Sequence, residues 1–326
     1  MPTIDFHNHF YPPAYLAALE KGPSNVRISH DAEGNPLLYY PGDYNVAVPA
    51  HRDIDFREGD VSRRGVDLQV LTLTTPGTHI EKPAVAARLA SLANDALARV
   101  AQDRPAHFTA LATLPLNDPA ASARELERAI RQLHLRGAML FSNVNGLPLA
   151  DDSFEPLYEA ANDLDAVFFI HPTSPVGVES MTDYWLMPLV GFLLDTTLAA
   201  AHLVFRGVPE RFPRIRWVLA HLGGAIPYLA ERLDRGYEAF PECRAHIHQP
   251  PSQFLKRFFY DTVNFDSAAL QLAIGFAGAS QIVAGSDYPH RIGSIEQMRQ
   301  SLASLPIPEP DRQAILGGNA RRLLAL

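Results

Sequence analysis

Cysteine is nearly absent from this chain: Cys243 is the only one among 326 residues. No intrachain disulfide can form, and nothing calls for an oxidising compartment. Lysine is scarce too, limited to Lys21, Lys82 and Lys256. The formal charge of -8 leaves no general basic field of the kind that binds nucleic acid, so nucleic acid is not an expected partner. No uninterrupted apolar run reaches the roughly 18 residues of a membrane span. The nearest approach, Leu186 to Phe205, is broken by Asp195, Thr196, Thr197 and His202 and reads as a buried helix. Met1-Pro2-Thr3-Ile4-Asp5 carries no basic region and apolar stretch ahead of the first candidate strand. A secretory signal is therefore not expected, nor a membrane partner, and the cytoplasm is the expected compartment.

What is present is the composition of a globular protein, with 47% hydrophobic and 20% charged residues. Short apolar runs recur with helical patterns between them: Ile4 to Phe6, Val70 to Leu73, Phe108 to Leu114, Ala138 to Phe141, Val167 to Ile170, Trp217 to Ala220, Phe258 to Tyr260 and Ile282 to Ala284. Continuous rather than alternating hydrophobics indicate strands buried on both faces, as in a parallel sheet covered by helices. Eight such runs in a chain longer than the roughly 250 residues of an α/β barrel predict a distorted (β/α)8 TIM barrel, one domain over residues 1–326. Asp118-Pro119 opens a predicted helix over Ala120 to Leu133, and Asp151-Asp152-Ser153 opens another over Phe154 to Leu164. Residues 10–67 form a long insertion after the first strand, rich in turn signals such as Gly34-Asn35-Pro36 and Pro41-Gly42. Within it Val26 to Ile28 and Leu37 to Tyr40 predict a hairpin that helps cap the barrel mouth.

The chemistry concentrates where these strands end. Asp5-Phe6-His7-Asn8-His9, Phe169-Ile170-His171-Pro172, Ala220-His221-Leu222-Gly223-Gly224 and Gly285-Ser286-Asp287-Tyr288-Pro289 place four histidines and an aspartate at strand ends, which in such a barrel is the catalytic face. His7 and His9 are two apart, so on a strand they share a face and can grip one ion. His-x-His alone is often polar surface, but convergence of several strand ends is not explained that way. Imidazole nitrogens and a carboxylate suit zinc and its first-row neighbours.

These motifs resemble the metal-dependent amidohydrolase superfamily. The longer runs His171-Pro172, Tyr184 to Gly191, Glu210-Arg211-Phe212-Pro213, His221-Leu222-Gly223-Gly224, Pro250-Pro251-Ser252 and Gly285 to Pro289 are similar, nearly end to end, to its aminocarboxymuconate-semialdehyde decarboxylase branch. The resemblance implies that His7, His9, His171 and Asp287 bind one divalent metal, zinc with manganese as the alternative. It further implies that His221 stays unligated and moves protons, with Asp287 sharing that work, and that the protein is a homodimer in which Arg232 to Arg244 lies near the neighbour's site. Binuclear relatives carry a bridging lysine on strand four, where Phe141 and Ser142 stand here.

Substrate recognition departs from the branch. Its carboxylate-clamping arginine falls, counting back from Gly65-Val66-Asp67, on Asn45, which offers no cationic fork. Arg52 is a substitute, Trp185 and Tyr184 are candidates for an aromatic wall, and Thr173 replaces a tryptophan of the branch. His290 reads as a surface histidine within reach of the pocket mouth, while His30, His51, His79 and the other histidines without a motif read as structural or surface residues. The expected function is non-oxidative decarboxylation of a small unsaturated or aromatic carboxylic acid. The alternatives are a metal-dependent hydrolase of a lactone, amide or carbon-carbon bond, and a non-catalytic binding protein stabilised by its metal.

Overall fold

A computed structural model of the chain describes residues 2–326. Its strands in chain order are β1 (Ile4–His9), β2 (Arg27–His30), β3 (Pro36–Tyr40), β4 (Asp43–Val46), β5 (Leu68–Thr72), β6 (Phe108–Ala110), β7 (Ala112–Thr113), β8 (Gly137–Phe141), β9 (Asn143–Val144), β10 (Leu147–Pro148), β11 (Val167–His171), β12 (Arg216–Leu219), β13 (Phe259–Asp261) and β14 (Ile282–Val283). Parallel pairing runs β1-β5-β6 in one sheet and β7-β8-β11-β12-β13-β14 in another. Two seams close the ring. At the first, Leu111 N donates to Leu71 O at 3.0 Å; at the second, Phe6 N donates to Ala284 O and His9 N to Tyr288 O, both at 2.8 Å.

The strand predicted over Phe108 to Leu114 is thus divided at Leu111, because β6 pairs with β5 while β7 pairs with β8. Elsewhere the apolar runs sit where double-sided burial requires them. Val167, Phe168, Phe169 and Ile170 are all fully buried, which is the reason this run shows no polar alternation. Asp118 accepts from Ala121 N and starts the helix Pro119–Arg131, two residues shorter at its end than predicted. The stretch expected as a buried helix over Leu186 to Phe205 forms a π-turn, Met187–Gly191, followed by the helix Phe192–Phe205. Only one face is buried: Thr196, Ala200 and Leu203 pack inward, whereas Leu194 and Leu198 are exposed. By length and composition alone this segment could cross a membrane, but half of it is buried in the fold.

Between β1 and β5 lie the helix Pro13–Lys21, an antiparallel sheet in the order β2-β3-β4, and the helices Pro49–Arg52 and Ile54–Arg63. The predicted hairpin is present as β2 against β3. β4 adds a third strand, pairing Asn45 with Leu38.

Arg57, on the helix Ile54–Arg63, ties this segment to the barrel and is wholly buried. Its guanidinium donates to His9 O at 2.6 Å, Asn8 Oδ1 at 2.6 Å, Ala50 O at 2.9 Å and Gln69 Oε1 at 2.8 Å. Gln69 passes the network on to Asp5 Oδ2 at 2.8 Å, which also accepts from Ser286 Oγ at 2.7 Å. β1 has a register shift against β5 between Asp5 and Asn8. Asn8 Nδ2 satisfies the carbonyls freed there, donating to Asp5 O at 2.9 Å and Val70 O at 3.2 Å. Removing the guanidinium strands several buried acceptors at once. Arg57→Met is therefore expected to lower unfolding free energy by about 3–5 kcal/mol, measured by urea denaturation at constant metal concentration.

Candidate metal centre and active-site cavity

His7 and His9 lie on β1, His171 ends β11, and Asp287 follows β14. One ligand atom from each of these four buried residues lies within 4.8 Å of every other. His7 Nε2 is 3.1 Å from His9 Nε2, His9 Nε2 is 3.1 Å from Asp287 Oδ1, and His7 Nε2 is 3.4 Å from the same oxygen. Such edges of about 3 Å are those of a shell around an ion with bonds of about 2.1 Å.

The far side of each imidazole explains why the near side carries a lone pair. His7 Nδ1 bonds to the Asp261 carboxylate, and His171 Nδ1 donates to Pro172 O at 2.8 Å. Thr72 Oγ1 gives its own proton to Asn8 O at 2.6 Å and so accepts from His9 Nδ1 at 3.3 Å. With Nδ1 protonated in all three rings, every Nε2 presents an acceptor to the centre. Charge points the same way. Burial alone would raise the Asp287 carboxyl, yet His7 and His9 hold it well below the usual carboxylate range. Burial opposes a charge on His7, but Asp261 and then Asp287 outweigh it and push its pKa up to about 10. The two acids demand positive charge at His7, and a divalent ion held on Nε2 provides it while leaving Nδ1–H on Asp261. The donor set fits one divalent ion. At the end of β8, where a second ion would need a bridging lysine, Ser142 bonds to Asp195 instead.

His221 stands beside the four. Its ring centroid is 5.0 Å from that of His7 and 5.4 Å from that of His171, and its Nδ1 has no protein partner. Burial, then His7, lowers its pKa to about 4, so the imidazole rests uncharged rather than titrating near its unperturbed value. The backbone here is strained, with φ of 53° at His221 and 57° at Leu222, a region costly for residues with a Cβ. Asp261 compensates: its carboxylate accepts from His221 N and Leu222 N, each at 3.1 Å, and from Val263 N at 2.9 Å. Gly285 is needed for a similar reason, since a Cβ there would lie 2.7 Å from His7 Cβ.

The centre opens into a cavity of about 560 Å3 whose lining includes His171, His221 and Asp287 at one end and Tyr40, Tyr44, Trp185, Leu189 and Phe192 along its walls. That volume suits a small organic molecule. Trp185 and Asn45, the candidates for substrate contact, are among its lining residues, and the Asn45 Nδ2 group donates to Tyr11 Oη at 2.9 Å, Thr75 O at 2.8 Å and Thr75 Oγ1 at 2.9 Å. Arg52 is not among the lining residues; it donates to Ala47 O at 2.9 Å and Asn35 Oδ1 at 3.3 Å, holding the inserted segment together. Tyr184 is 85% exposed and is likewise outside the lining. His51 and His290, expected to be structural or surface residues, both line the cavity. Asp261, which is not a ligand but holds one from behind, is missing from the sequence prediction, although it ends β13 and the strand-end rule that selected the four ligands reaches it.

Comparison with known proteins agrees with this geometry. A family model described as amidohydrolase matches residues 4–326. A 2-amino-3-carboxymuconate-6-semialdehyde decarboxylase of Dictyostelium discoideum is 32% identical over 328 residues, covering 99% of this chain and 91% of that protein. The crystal structure of a 5-carboxyvanillate decarboxylase from Sphingomonas paucimobilis superposes with a TM-score of 0.87 at 28% identity, covering 100% of this chain and 99% of that one. A dihydroxybenzoic acid decarboxylase from Polaromonas sp. JS666, with bound manganese and 2-nitroresorcinol, gives a TM-score of 0.83 at 25% identity and covers 100% of this chain and 97% of that one. The chain belongs to the amidohydrolase family, in its aminocarboxymuconate-semialdehyde decarboxylase-like branch.

Proposed function

We propose that this protein is a mononuclear metal-dependent carboxy-lyase that removes carbon dioxide, without oxidation, from a small aromatic or unsaturated carboxylic acid. The observation that carries the reading is a one-ion donor set beside an uncharged, unligated histidine at the base of an aromatic-walled cavity. The relatives reported above are decarboxylases, which favours this reaction over hydrolysis. Manganese in one of them makes it as strong a candidate as zinc for the ion.

When bound, a divalent ion supplies a Lewis acid that gathers the substrate's oxygen charge. The chain's own groups do the rest. Tyr44 and Trp185, with ring centroids 5.7 Å apart, form one wall for a planar substrate. The carbon that loses carbon dioxide must gain a proton, since the carbon-carbon bond leaves its electron pair there. His221, uncharged at rest and with Nδ1 free of any protein partner, is placed to relay to that carbon the one proton that the reaction takes up from solvent. Asp287 shares the transfer. The inserted segment contributes Tyr40, Tyr44, Asn45 and His51 to the cavity lining and serves as its cap. Arg291 at the exposed rim is the cation best placed to attract an anionic substrate.

A homodimer suits the exposed apolar face that runs through Leu189, Val190, Leu194 and Leu198. Light scattering is expected to give twice the mass of the chain, and Leu198→Glu to shift it toward monomer; a concentration-independent monomer contradicts the assembly. His221→Asn is expected to keep one equivalent of metal, measured by elemental analysis, while carbon dioxide release from 2,6-dihydroxybenzoate or a related acid falls by about 10²–10⁴-fold. Loss of the metal would make His221 a ligand, and unchanged turnover would remove it from the reaction. Chelation of the wild type is expected to abolish turnover and lower Tm, with both restored by manganese or zinc.

A further inference from the structure

One histidine of the cavity is not used by the reaction described above. His290 lines the cavity and is half-buried. Among the described residues neither of its ring nitrogens has a hydrogen-bond partner, yet both remain accessible; the nitrogens of His51 and Thr74 Oγ1, by contrast, are sealed by their surroundings. The backbone fixes where this ring stands. His290 N donates to Asp287 O at 3.0 Å, Gly293 N to His290 O at 3.0 Å and Ser294 N to Ser286 O at 2.8 Å. The turn leaves no room for a side chain at Gly293, where a Cβ would lie 2.3 Å from Asp287 O. The His290 ring is thereby set 4.9 Å from that of His9 and 5.1 Å from that of His51, centroid to centroid. His221 packs instead on His7 and His171, so the two unligated imidazoles meet the ligand set at different edges.

We propose that His290 is a further catalytic residue, which donates a hydrogen bond to the carboxylate that is lost and holds it out of the substrate plane while His221 serves the same carbon from another side. The inference rests on the decarboxylase reading. The carbon-carbon bond breaks, its electron pair stays on the carbon, that carbon takes one proton, and carbon dioxide departs with no oxidant or reductant. The pair can pass into the π system only while the breaking bond stands out of the substrate plane, so the carboxylate must be held off that plane as the proton arrives. A carboxylate only accepts hydrogen bonds, and an imidazole keeps an N–H in either neutral tautomer. Other donors of the insertion and the loop after β5 are committed elsewhere. Asn45 Nδ2 is held by Tyr11 and Thr75, Thr75 Oγ1 donates to Tyr40 Oη at 3.2 Å, and Arg52 donates to Ala47 and Asn35. Arg291 is exposed at the rim, whereas His290 packs on a metal ligand with its nitrogens free.

The test uses manganese-loaded protein and whichever of 2-hydroxybenzoate, 2,6-dihydroxybenzoate and 2-hydroxy-6-methylbenzoate is turned over fastest, together with the phenol that its decarboxylation leaves. Carbon dioxide release gives kcat and KM, calorimetry gives Kd for acid and phenol, and elemental analysis gives the metal content. His290→Phe, which keeps a ring but deletes the N–H, is expected to lower kcat by about 100-fold and to weaken binding of the acid by about tenfold. Its affinity for the phenol should stay within about threefold of the wild type, with one equivalent of metal retained. His290→Gln, which restores a donor, should recover about tenfold of the lost kcat, and His290→Leu replaces the phenylalanine variant if thermal unfolding shows that the larger ring disturbs the fold. Unchanged kcat, equal loss of affinity for acid and phenol, or loss of the metal overturns the inference and leaves the decarboxylase reading standing. Turnover of no aromatic acid by the wild type overturns both.

Discussion

The active centre depends on one buried carboxylate. Asp261 ends β13 and is completely buried, a costly position for a charge unless every lone pair is used. Here it bonds to His7 Nδ1 and accepts the backbone N–H groups of His221, Leu222 and Val263. One side chain thus fixes the tautomer of a metal ligand on β1 and the left-handed backbone that carries His221 after β12. The His7 ring and the backbone that carries His221 cannot drift independently, because both hang on the same carboxylate.

A second network works from beneath β1. Arg57 clamps His9 O and Asn8 Oδ1, and through Gln69 it reaches Asp5, which in turn holds Ser286 next to Asp287. The irregularity in β1 between Asp5 and Asn8 would loosen an unsupported strand at the place where two ligands must converge. Asn8 and Arg57 fill the hydrogen bonds that the irregularity releases. The backbone of Asp287, at φ of 58°, is anchored by its N–H to His7 O at 2.8 Å. Strain therefore gathers at His221, Leu222 and Asp287, and the surrounding bonds over-determine each of them.

The parts of this arrangement legible in the sequence are those whose residue type and local pattern coincide. His7, His9, His171, His221 and Asp287 stand at the ends of apolar runs, and double-sided burial makes such runs readable as barrel strands. Arg57 was not legible, because nothing in Asp55-Phe56-Arg57-Glu58 distinguishes a wholly buried arginine from a solvated one; burial arises from the insertion folding back onto β1. β4 was missed for a related reason: Asp43-Tyr44-Asn45-Val46 is half-buried throughout and lacks the alternation that marks a sheet with one dry face. Arg52, offered as a substitute clamp, and His51, read as a structural or surface residue, stand differently toward the cavity for the same reason. Side-chain chemistry favoured the arginine, but the short helix Pro49–Arg52 turns Arg52 to the loop and His51 to the cavity.

This division between legible and illegible residues follows a division of labour in the fold. Metal ligands belong to the barrel, where strand geometry leaves little freedom and parallel pairing dictates which side chains meet. Groups that line the remainder of the cavity, among them Tyr40, Tyr44 and His51, come from the insertion after β1, whose path is set by turns and tertiary contacts. A chain of this kind can change its substrate by altering the cap while Asp261, Arg57 and the four ligands stay fixed. Asn45 illustrates the point: its amide N–H groups are turned onto Tyr11 and Thr75, so that position ties the insertion to the loop after β5.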